Sequence, residues 1–84
     1  MIFLLEYYRK KGKLVSFKTF EDCEREEAQE ARLELELRLF RSEIEHEVVI
    51  LEAESEELIR RTHARYFYTL RELIEKFKEA LQAA

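Results

Sequence analysis

Gly12 is the only glycine among 84 residues and proline is absent, so the chain has one place where a left-handed turn comes without steric cost. The rest must be built from regular elements joined by short connections. With 40% of its side chains charged and no Gly-, Ser- or Pro-rich stretch, the composition suits ordered elements and not a disordered tail. Gly12 stands between two apolar runs, IFLLEYY and LVSFKTF. Phe3, Leu5 and Tyr7 in the first run, and Val15 and Phe17 in the second, recur at the period of two expected of a pleated strand. Residues 1–20 therefore read as a β-hairpin, with Gly12 supplying the positive φ of a type I turn closed by a bulge. A phosphate-cradling loop would want several glycines ahead of a helix, so the turn is the expected role.

After Thr19 the period lengthens. Thr19 with Asp22 resembles a capping box, and Glu21, Asp22 and Glu24 place negative charge at the positive end of a helix dipole, which predicts a helix over residues 20–42. Within it, LELELRLF alternates as a strand would. The helical reading is adopted because Leu, Glu and Arg are strong helix formers and the run holds no residue branched at Cβ. At 100° per residue, Ala28, Ala31, Leu35 and Leu39 then share one side, and Leu33, Leu37, Phe40 and Ile44 the opposite side. Four uninterrupted apolar residues, Val48 to Leu51, predict a strand over 46–53 contacted on both faces. Ser55 is a helix cap, with Glu56 and Glu57 in the first turn. One apolar stripe from Leu58 to Leu81 predicts a single helix over 56–82, about 40 Å long at about 1.5 Å per residue. Thr69 with Glu72 offers an internal capping box, and with it the alternative of a bend.

The expected fold is thus an α+β domain of order ββαβα spanning residues 1–84, with two helices, the C-terminal one long. A crossover through the first helix brings the third strand parallel to the second on the far side of the first, a three-stranded mixed sheet of order 2-1-3. IFLLEYY, the most apolar strand, sits at its centre.

A chain this short hides only about 60 to 65% of its unfolded surface, so its stability alone is marginal and a staple or a partner would help. A disulfide is excluded because Cys23 is the only cysteine, and His46 and His63 are too few for a zinc site. Cys23 itself reads as a small buried apolar residue. A partner chain remains, and the outward stripe of the first helix points to a homodimer. Its expected interface is Leu33, Leu37 and Phe40 on the first helix and Leu70, Leu73, Ile74, Phe77 and Leu81 on the last. A further, unknown protein partner fits the same surfaces. The apolar start precedes its basic residues, the reverse of a secretory signal, and is too short to span a bilayer. With a single thiol, these features predict a cytoplasmic protein without a membrane anchor.

Charge is segregated. Residues 1–20 hold five basic and one acidic side chain, residues 21–58 four and fifteen, and residues 59–84 six and three. The segment RRTHARYFYTLR, residues 60–71, raises a second reading: a nucleic-acid-binding accessory with Arg60, Arg61 and Arg65 near phosphates and Tyr68 stacking on a base. The net charge of −4 and the acidic centre argue against it. A third reading is an enzyme with Glu and His at a dimer cleft. No catalytic residue, cofactor ligand or metal ligand can be named for it, because glutamates are too abundant for spacing to single out a pair.

Overall fold

The computed structural model describes residues 1–83, apart from the side chains of Leu70 and Ala83. Strand β1 (Ile2–Tyr8) and strand β2 (Lys13–Phe20) form the hairpin. Gly12 closes its turn at φ 59°, donating its N–H to the Arg9 carbonyl at 3.2 Å. Strand β3 (Glu47–Glu52) pairs with the other edge of β1, so the sheet order is β2-β1-β3. Both pairings are antiparallel. The expectation of a mixed sheet is corrected here: β2 and β3 do run the same way, but β1 lies between them and every hydrogen-bonded neighbour is antiparallel.

The hairpin register slips between Glu6 and Tyr7, so that Glu6 faces Ser16 and Tyr7 faces Leu14, leaving Val15 as the bulged residue. Val15 and Phe17 therefore do not share the face that their spacing suggests. Leu14 and Phe17 pack with Phe3, Leu5 and Tyr7, while Val15 is exposed. Every residue of β1 from Ile2 to Tyr7 is buried, because both faces of the sheet are covered.

Helix α1 (Arg25–Arg41) covers the face carrying Ile2, Leu4 and Glu6. It begins after a short 3-10 turn, Asp22–Glu24, whose capping box is made by Glu21 and Glu24. Thr19 belongs to β2, so the Thr19–Asp22 cap does not form and the helix starts later than residue 20. The ambiguous LELELRLF is helical. Ala28, Leu35 and Leu39 are buried against the sheet, and the small Ala28 lets the helix approach closely. The helix ends in a Schellman motif: Ile44 N–H donates to the Leu39 carbonyl at 2.9 Å and Glu43 N–H to Phe40 at 3.2 Å. Glu43 occupies its left-handed position at φ 56°, where glycine is usual.

The opposite sheet face is covered by α2 (Glu56–Thr62) and a 3-10 turn (Ala64–Tyr66), and α3 (Leu70–Ala83) follows. Ser55 caps α2 as expected, accepting from Leu58 N–H at 3.1 Å. The single long helix over 56–82 is corrected to these three pieces. α2 stops after seven residues, about 10 Å of helix and well short of the roughly 23 Å spanned by β1. Past its end Tyr66 turns inward, edge-on to Tyr7 with ring centroids 5.1 Å apart. Thr69 and Glu72 then form a capping box, with both bonds at 3.2 Å, and start α3. α3 touches little of the protomer beyond the 3-10 turn before it. Accordingly the radius of gyration is 14.8 Å, against about 12 Å for a compact chain of this length.

Candidate functional site

The side chains expected to form an interface lie on two separate surfaces. On α1, Leu33, Leu37 and Phe40 point away from the sheet, with Phe40 82% exposed, and Ile44 continues the row past the helix end. On α3, Phe77 is 66% and Leu81 63% exposed, Ile74 is exposed and Leu73 half-buried. The Leu70 side chain lies outside the described residues. The α1 row belongs to the helix that covers one face of the sheet, whereas α3 follows the 3-10 turn that packs on the other face and contacts chiefly that turn.

The arginines of RRTHARYFYTLR are occupied within the protomer. Arg60 binds Glu56 through Nε and Nη2, at 3.0 and 2.7 Å, and its guanidinium lies 4.7 Å from the Phe67 ring centroid. Arg61 pairs with Glu57 at 3.5 Å. Arg65 donates to Glu47 at 3.3 Å and lies over the Tyr66 ring. Lys76 Nζ stands 4.5 Å from the ring centroid of Tyr68. A base stacking on Tyr68 would have to displace that lysine, and phosphates would have to compete with three carboxylates. The four side chains span α2, the 3-10 turn and the loop after it, so the broken helix does not give them one continuous face.

Two polar clusters escaped the sequence reading. Tyr66 donates to Glu47 Oε1 at 3.0 Å, beneath Arg65. Burial raises the Tyr66 phenol above the ordinary tyrosine range, and the Glu47 carboxylate that accepts its proton adds to the rise. Glu47 Oε2 is buried without a hydrogen bond, with Arg9 Nε 4.0 Å away. On the other face, Glu6 is a buried carboxylate on the central strand. It accepts from His46 Nδ1 at 2.5 Å and from Ser16 Oγ at 3.4 Å, while the Tyr8 ring lies 4.9 Å from His46. The one local signal for Glu6 is that it is the only charged residue in the apolar run IFLLEYY. Its partner is 40 residues distant, and nothing local signals the pairing.

A groove of about 410 Å³ separates α1 from the β2 edge, floored by Leu4 and Ser16 and rimmed by Lys18, Glu34 and Arg38. The Glu6–His46 pair does not open into it. Cys23 is exposed, contrary to the expectation of burial, because the 3-10 turn carries it off the sheet before α1 begins. Among the described residues, no group of three or more His, Cys, Asp and Glu side chains is placed to hold a metal ion, and no helix is long and apolar enough to cross a membrane. Comparison with protein-family models, with curated proteins and with solved structures found no match to this chain.

Proposed function

We propose that this protein is a non-enzymatic interaction module of one domain that self-associates through the outward face of α1, through α3, or through both. One observation carries the proposal: α3 is an amphipathic helix whose apolar side leaves Ile74, Phe77 and Leu81 exposed, and among the described residues it packs chiefly against the 3-10 turn before it. An isolated helix of 14 residues is marginal in water, and its stability comes from packing its apolar side against something. A second copy of the chain is always at hand. The outward row on α1 supports the same reading, since monomers rarely leave contiguous Leu and Phe in water. A cytoplasmic setting goes with it, where the exposed thiol of Cys23 would stay reduced. No observation favours nucleic-acid binding, because its candidate arginines already hold carboxylates.

Sedimentation equilibrium across the micromolar range tests the proposal. The expected result is a reversible dimer, weakened by Phe77→Glu or Leu81→Glu while the sheet stays folded by circular dichroism. A monomer at every concentration removes it. An assembly indifferent to both substitutions removes α3 from the interface and leaves α1.

A further inference from the structure

We propose that α3 of one copy docks on the outward face of α1 of a second copy, so that a dimer holds two such crossed contacts. This rests on the self-association proposed above and goes beyond it in naming which surfaces meet. Three independent features point the same way.

The first is spacing. Leu33, Leu37, Phe40 and Ile44 follow one another at steps of four, three and four residues, and so do Leu70, Ile74, Phe77 and Leu81 in the sequence, with phenylalanine third in each set. Steps of three and four are those of knobs-into-holes seams between paired helices.

The second is charge. At 100° per residue, the outward row of α1 is flanked by Glu30, Glu34 and Glu36, with Arg41 at its end. The row on α3 is flanked by Arg71 and Lys78. Pairing α1 with α1 sets carboxylates against carboxylates, and pairing α3 with α3 sets cations against cations. Only the crossed pairing sets these opposite signs against each other. Glu34 and Arg71 have no ion pair among the described residues, while Glu36 and Lys78 have only exposed pairs on their own helices, Arg32 at 3.5 Å and Glu75 at 3.9 Å.

The third is reach. Phe67–Thr69 are the residues joining the 3-10 turn to α3, and three residues span at most about 10 Å. The outward face of the same chain's α1 lies beyond the sheet and then beyond the helix, two layers each about 10 Å thick. α3 therefore cannot fold onto its own α1, and the occupant is a second copy.

The test is complementation between two variants. Phe40→Glu and Phe77→Glu, both at exposed positions, are each expected to raise the dimer dissociation constant by at least about tenfold. Mixed in equal amounts they are expected to recover a dimer, because the intact Phe77 of one variant meets the intact Phe40 of the other. Dissociation by only one of the two substitutions, or a mixture that stays monomeric while each variant is folded, overturns the crossed contact and leaves self-association standing. A wild-type chain that is monomeric throughout overturns both. Should either glutamate variant fail to fold, Glu34→Arg and Arg71→Glu repeat the design on the rims: each alone weakens the dimer and the mixture restores it, or the inference fails.

Discussion

α1 and α3 carry apolar rows of the same spacing, yet α1 is fastened to the sheet and α3 is not. The difference lies on their other sides. Behind its Leu and Phe row α1 has a second one, with Ala28, Leu35 and Leu39 buried against β1 and its neighbours. Behind the row of α3 stand Glu72, Glu75 and Glu79. A helix with two apolar sides can serve the protomer and a partner at once, whereas one with a single side must choose. α3 follows the 3-10 turn and packs chiefly against it, so its one apolar side is left over.

Four measurements break or sharpen this contrast. Leu35→Ala is expected to cost about 2 to 5 kcal/mol in urea denaturation at high dilution, the range for a buried leucine, and Leu33→Ala in the same helix less than about 0.5 kcal/mol. Equal costs would mean that α1 has no inward and outward side. Beneath α1, His46→Ala leaves the buried Glu6 without its closest partner and is expected to destabilise by about 1 to 3 kcal/mol. Replacing Glu6 by Gln alongside it should recover part of that loss; no recovery would locate the cost elsewhere. Thr69→Ala removes the cap of α3, worth about 1 kcal/mol. It is expected to speed amide exchange within α3 and leave the main urea transition in place. A shifted main transition would show α3 to be part of the protomer's cooperative unit.

The smallest effect at neutral pH concerns Tyr66, which anchors the end of the α2 face. Its pKa is raised in the fold, so the stability it contributes is fully present below the ordinary tyrosine value near 10 and is lost as pH rises through the higher folded value. Tyrosinate absorbance should show a late component that disappears in Tyr66→Phe. A late component that survives the substitution belongs to another residue.

Much of the architecture was legible because it depends on local periodicity. The hairpin around Gly12, the central place of IFLLEYY, the two sides of α1 and the Ser55 cap all follow from residues within a few positions of one another. What was missed depends on distant or competing contacts. The bulge at Val15 shifts a register that period two alone would keep. Thr19 offered a cap, but strand pairing with Phe3 claimed it first. The break after Thr62 was foreshadowed by the Thr69–Glu72 box, yet what decides it is the Tyr66 ring meeting Tyr7 and its hydroxyl meeting Glu47, partners 59 and 19 residues away. Of the side chains expected at an interface, Leu33, Leu37, Phe40, Ile74, Phe77 and Leu81 are exposed as the sequence suggested, whereas Leu73 is half-buried. The sequence could not say that Arg60, Arg61 and Arg65 would be spoken for by Glu56, Glu57 and Glu47.

Cys23, exposed on the turn that leads into α1, has a practical corollary. A single maleimide spin label per chain would sit at the foot of that helix, on its exposed leading turn. In an assembled sample, the spacing between two such probes reports how neighbouring copies are oriented, with no engineered thiol required.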